Sequence, residues 1–138
     1  MSFVLDTNII SELRKGHGLC DANVRRWYDA TPVDDIYLSV VVLGEMRRGV
    51  EMRRRRDPET ARVFERWLND VRVLFQERTL EVTREIADLW GRIGAATNVS
   101  VVDGFLAATA AHHGYTVATR NERDFQKTGV DFINPFRA

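Results

Sequence analysis

The sequence predicts an α/β fold built on a mostly parallel five-stranded sheet flanked by helices. Three observations carry this expectation. Short β-rich runs alternate with helical patterns from end to end, no internal repeat or low-complexity linker separates them, and the three prolines are scattered. At 138 residues the chain lies in the range of about 100–150 where single domains are most common. One domain over residues 1–138 is therefore expected.

The elements follow in order. Phe3-Val4-Leu5 is a short buried strand, and Thr7 or Asn8 can cap a helix running to about Arg14. The glycines from Gly16 to Gly18 break it. From Asp21 to Ala30, Val24, Trp27 and Tyr28 share one helical face, which Pro32 closes. Ile36-Tyr37-Leu38 reads as the second strand, and Ser39 is placed to cap a helix with Leu43, Met46 and Val50 at spacings of three and four. That helix should stop near Arg56, because Asp57-Pro58-Glu59 puts Asp at a cap and Pro in a first turn. The next helix carries Val63, Phe64, Trp67, Leu68 and Val71 on one stripe.

Leu80-Glu81-Val82 alternates like a short strand, and Thr83 can cap a helix bearing Ile86, Leu89, Trp90 and Ile93. Ser100 opens a helix rich in small residues from Gly104 to Ala111, suited to close packing on a sheet, and Gly114 ends it. Tyr115 to Thr119 and Asp131 to Ile133 are the last two strands.

Composition limits the setting. The 20 Lys and Arg balance 20 Asp and Glu, which excludes a protein that coats nucleic acid by bulk charge but leaves room for a local basic patch. Cys20 is the one cysteine, so neither an intrachain disulfide nor a Cys-rich metal site can form. The early apolar run is broken by Asp6, and the longest later one, Val40 to Leu43, is far short of the roughly 20 residues of a membrane span. A soluble, cytoplasmic protein with no membrane partner is expected.

In open α/β sheets ligands bind beyond the carboxyl ends of the strands. Asp6 directly follows the first strand, Glu45 lies in the early turns after the second, Asp103 opens the small-residue helix, and Asp124 follows the fourth strand by five residues. These acids could converge on one edge. Each also has a local reading: Asp6 as a cap, Glu45 as an acid favoured by the helix dipole, and Ser100-x-x-Asp103 and Asn121-x-x-Asp124 as capping boxes.

The surrounding residues add to this. Val4-Leu5-Asp6-Thr7-Asn8, Leu38-Ser39-Val40-Val41 running into Leu43-Gly44-Glu45, Val101-Val102-Asp103-Gly104-Phe105-Leu106-Ala107-Ala108-Thr109-Ala110 and Thr119-Arg120-Asn121-x-x-Asp124-Phe125 resemble, in order and spacing, the motifs of the PIN-domain family. The likeness is to VapC and FitB-like toxins of type II toxin–antitoxin systems, from about Val4 to Phe136. Gly104 departs from the pattern, standing where Ala or another helix former is commoner; glycine there costs about 1 kcal/mol of helix propensity at most.

The resemblance implies a three-layer fold and a Mg²⁺- or Mn²⁺-dependent endoribonuclease, a hydrolase of RNA phosphodiester bonds held inactive by a cognate antitoxin. It implies a homodimer that clasps an antitoxin tail in a groove near the active site, and a larger complex with the antitoxin on DNA. Asp6, Glu45, Asp103 and Asp124 are the expected catalytic and metal-binding acids, with Asp124 the weaker or second-ion ligand. Two carboxylates about 4 Å apart repel by roughly 1 kcal/mol in water and about 4 kcal/mol at an effective dielectric of 20, so a cluster needs protons or a cation. All-oxygen ligands suit Mg²⁺ or Mn²⁺ over Zn²⁺.

Thr7, Asn8, Thr119 and Asn121 are candidate donors that hold carboxylates and water in place, or equally cap and turn residues. Between Arg47 and Arg56 six arginines face one acid, a local charge of +5. Arg47, Arg53, Arg54, Arg55 and Arg56 are candidates for RNA phosphates, or a solvated face with Glu51–Arg55 pairing. Phe64, Trp67 and Trp90 are candidates for the dimer or antitoxin surface, with core packing the ordinary alternative. His112-His113 is placed for a helix C-terminus, and Cys20 reads as a packed or surface thiol and not a nucleophile.

Three rival readings remain in view. The chain could serve mainly as the binding subunit of a DNA-bound autorepressor complex. A receiver domain needs a Lys at the end of the last strands, but Lys127 lies in the loop beyond Asp124. An aspartate-nucleophile phosphatase needs an acid where Asn8 stands.

Overall fold

The structure is a computed structural model that describes residues 1–16 and 18–137. Five strands, β1 (Phe3–Leu5), β2 (Ile36–Ser39), β3 (Thr79–Leu80), β4 (Thr116–Ala118) and β5 (Phe132–Ile133), form one sheet in the order β3-β2-β1-β4-β5. All four pairings are parallel, with Phe3 opposite both Ile36 and Thr116. The expectation of a mostly parallel sheet becomes a wholly parallel one.

Among the described residues seven α-helices join the strands: α1 (Thr7–Leu13), α2 (Ala22–Ala30), α3 (Val40–Arg54), α4 (Pro58–Leu74), α5 (Arg84–Thr97), α6 (Val101–His113) and α7 (Glu122–Thr128). From β1 the chain steps outward through β2 to β3, then returns past β1 to β4 and β5. Right-handed crossovers in these two directions place helices on both faces, the three-layer arrangement. Val4, Leu5, Leu38 and Val117 form the sheet's share of the core, closed by Ile9, Val42, Leu68, Leu106 and Phe125 from the helices.

Most helix starts fall where the caps predict. Ser39, Asp57, Thr83 and Ser100 each accept a backbone N–H within the first turn of their helices, and Asp21, not picked as a cap, does the same for α2. Gly114 ends α6 at φ 71°, a left-handed position that suits glycine.

Three expectations need correction. The cap of α1 is Asp6, whose carboxylate accepts the Thr7 N–H, and not Thr7 or Asn8. The third strand is Thr79–Leu80, earlier than Leu80 to Val82, because the chain leaves the β2 edge after Leu80 pairs with Ser39. Val63 lies 54% exposed and is not part of the buried stripe of α4, whose buried residues are Ala61, Leu68 and Val71. Within the expected break from Gly16 to Gly18, His17 lies outside the described residues.

Candidate active site

The strand order reverses between β1 and β4, the switch point where open α/β sheets bind ligands. Asp6 leaves the carboxyl end of β1 there, its N–H still donating to Ala118 O of β4 at 2.9 Å. Its Oδ1 accepts the Thr7 N–H at 2.7 Å, and its Oδ2 accepts the Thr119 hydroxyl at 2.8 Å and the Asn8 amide at 3.2 Å. Asp6 therefore caps a helix and faces the site together.

The other acids arrive from three helices. Ser39 caps α3, and in the second turn of that helix Glu45 accepts the Thr7 hydroxyl through Oε1. Ser100 caps α6 by accepting the Asp103 N–H at 3.1 Å, which places Asp103 in the first turn. Asp103 Oδ2 accepts the Asn121 side-chain amide at 3.0 Å, and the same nitrogen donates to Asp124 Oδ2 at 2.7 Å. Asp124 comes from α7.

Asn121 had an alternative role as the cap of α7. No side-chain cap hydrogen bond forms there, because its amide bridges Asp103 and Asp124 instead. Its backbone N–H donates to Thr119 Oγ1 at 2.9 Å, while that hydroxyl donates to Asp6. Asn8 accepts the Arg120 N–H at 3.1 Å, fixing α1 to the segment after β4. All four polar residues picked from the sequence thus touch an acid of the group.

The electrostatics follow from this crowding. Burial pushes the Asp103 carboxyl up to about 6, helped by the charges of Asp6, Asp124 and Glu45. Burial also raises Asp6, against the hydrogen bonds of Thr119 and Thr7, with Glu45 adding repulsion. Among the described residues no Lys, Arg or His lies within 4.0 Å of Asp6, Glu45 or Asp103, and Lys127 stands 3.8 Å from Asp124.

Also among the described residues, no three acidic, imidazole or thiol side chains are already gathered as ligands of one ion. Asp6, Glu45 and Asp103 line an open cavity of about 490 Å³, and Asp124 joins them through the Asn121 amide that it shares with Asp103. An all-oxygen set with uncompensated charge fits a hard divalent cation, which takes carboxylates and keeps several waters.

Ser11 and Ser100 also line this cavity and escaped the sequence reading. Ser11 stands four residues after Thr7, a spacing that puts both on one helix face. His112 and His113 close the far end of α6, about 15 Å from Asp103 at 1.5 Å per residue, and are exposed. Cys20 is half-buried, its thiol on Asp21 O at 3.4 Å.

The arginine run divides. Glu51 pairs with Arg47 and Arg54, not with Arg55, and both arginines also reach Glu65 of α4, at 2.7 and 2.8 Å. Arg53 and Arg56 instead line a groove beside the acids, and Arg55 is exposed. Trp90 stacks on Phe105 at 4.6 Å and 3° between α5 and α6, whereas Phe64 and Trp67 line the same groove as Arg53.

Among the described residues no helix is long and apolar enough to cross a membrane. The chain matches the PIN domain family over residues 3–131. It is similar to VapC ribonuclease Y4jK of Sinorhizobium fredii, at 37% identity over 141 residues, covering 96% of each chain. It is also similar to Toxin FitB of Neisseria gonorrhoeae, at 30% identity over 138 residues, covering 96% of this chain and 97% of the relative. The solved structure of FitAB bound to an IR36 DNA fragment matches with a TM-score of 0.86 at 30% identity, over 97% of this chain and 95% of the solved one.

Proposed function

The chain belongs to the PIN-domain family, and from that premise we propose that it is the endoribonuclease toxin of a type II toxin–antitoxin module. It hydrolyses RNA phosphodiester bonds in the cytoplasm with Mg²⁺ or Mn²⁺ and is inhibited by a cognate antitoxin. The observation that carries this reading is the opening of Asp6, Glu45 and Asp103 into one cavity beyond β1, none with a cationic partner among the described residues, with Asp124 tied to Asp103 through Asn121. A relative named as a ribonuclease supports the reaction, and one named as a toxin supports the biological role.

In this reading Asp6, Glu45 and Asp103 hold the ion directly or through water, and Asp124 is the weaker or second-ion ligand. Such an ion, when bound, would supply Lewis-acid polarisation of a phosphate oxygen and a more acidic water. The chain's own residues supply the rest. Thr7, Asn8, Thr119 and Asn121 each donate to a carboxylate oxygen, which fixes the direction of the remaining lone pairs. A raised Asp103 gives up its proton most readily when a cation replaces it.

The test is cleavage mapping of cellular RNA with divalent metal added or chelated, beside Asp103→Asn. Cuts that require metal and vanish in the variant are expected; metal-independent cutting overturns the mechanism. A homodimer, and a larger assembly with antitoxin on DNA, belong to the same proposal. A DNA-bound relative, FitAB, favours a second reading in which the chain serves mainly as a binding subunit of a repressor complex. That reading requires Asp6→Asn to leave cellular toxicity unchanged.

A further inference from the structure

The acid cavity opens into a second groove, of about 350 Å³, through the shared residues Thr7, Ser11 and Glu45. Phe64 and Trp67 of α4 line one wall. The Arg14 guanidinium lies over Phe64 at 4.4 Å and near Trp67 at 5.8 Å, and that of Arg53 over Phe64 at 5.3 Å. Arg56 completes the rim. Among the described residues none of these three arginines has a carboxylate within 4.0 Å, unlike Arg47 and Arg54.

We infer that this groove holds the single-stranded RNA that flanks the scissile phosphate, with Arg14, Arg53 and Arg56 on its phosphates, Phe64 backing the guanidinium groups and Trp67 offered to a base. The inference rests on the ribonuclease reading and deepens it by assigning the path of the substrate strand. Four arguments support it. A strand cut at the acids must continue away from them, and this groove is continuous with them. Its charge is three arginines against Glu45 at the acid end, complementary to a polyanion. A guanidinium stacked on an aromatic face keeps its N–H edge in plane and free, the edge that meets phosphate oxygens. An aromatic wall accepts any base by stacking, which suits a strand and not a duplex.

Arg14 was not among the arginines picked from the sequence. It stands alone just after α1, and only the packing of α1 beside α4 brings it to Phe64.

The test measures binding of a fluorescent mixed-sequence RNA dodecamer to the full chain in chelator, across a salt series. Arg14→Ala, Arg53→Ala and Arg56→Ala should each weaken binding by about tenfold and lower the salt slope by about 0.7. Arg92→Ala removes an equal charge from exposed α5, where Arg92 pairs with Asp88, and should leave affinity within about twofold. Circular-dichroism melts of each variant confirm that folding is intact. Three variants indistinguishable from Arg92→Ala overturn the groove. So does a set that binds RNA normally but no longer binds an antitoxin, which assigns the groove to protein alone. If wild type cuts RNA with metal while the three variants cut with unchanged KM, only the groove falls. If wild type neither binds nor cuts RNA, the ribonuclease reading falls with it.

Discussion

At the scale of single residues, the site depends on groups that do two things at once. Asp6 caps α1 and presents an oxygen to the cavity; Thr119 accepts from Asn121 and donates to Asp6. The acids and their partners were legible because strand ends and motif spacing point to them. The bridge made by Asn121 was not, since Asn before a helix looks the same whether it caps or reaches across. Asp103 carries the clearest consequence. Its carboxyl is raised to about 6 from 3.8, so the folded state prefers it protonated. Its contribution to stability is complete below the ordinary value and is lost as pH rises through about 6. Thermal melts in chelator should therefore fall across this window, and Asp103→Asn should flatten that part of the profile. A wild-type profile that rises between pH 4 and 6, or a variant with the same slope, contradicts the assignment.

Among the elements, helices were read well because their caps are chemical signals. Among the described residues, four of seven α-helices begin after the side chain expected to cap them. The short pieces were harder: β3 has two residues, so its limits come from where β2 offers partners, and α7 has seven residues with only Phe125 buried. Gly104 illustrates what pattern alone cannot see. Propensity favours alanine there by about 1 kcal/mol. Yet a Cβ would stand 2.9 Å from Trp90 Cδ1 and 3.1 Å from Nε1, against an indole already stacked on Phe105. Overpacking of this kind costs about 1–3 kcal/mol, so after the propensity gain Gly104→Ala should destabilise by up to about 2 kcal/mol net in urea unfolding. Trp90→Phe in the same background should recover part of the loss. A stabilised Gly104→Ala would mean that the α5–α6 seam yields more easily than its geometry indicates.

For the whole molecule, the balance of 20 basic and 20 acidic residues conceals a separation. Acids without basic partners gather at the switch point, and unpaired arginines border the groove that leaves it. Sequence order suggests the first through strand ends. It hides the second, because Arg14 and Arg53 meet at Phe64 only after α1, α3 and α4 pack. The two fields oppose each other for a polyanion, since the acids repel the same phosphates the arginines attract. Each carboxylate about 4 Å from a phosphate costs roughly 1 kcal/mol in water. In chelator, the double variant Asp6→Asn with Asp103→Asn should bind single-stranded RNA about fivefold or more tightly than wild type, although it cannot cut. Adding Mn²⁺ should tighten wild type toward the same affinity and leave the double variant nearly unchanged. If both proteins bind equally in chelator, the acids do not face the bound strand, and the groove and cavity do not share one path.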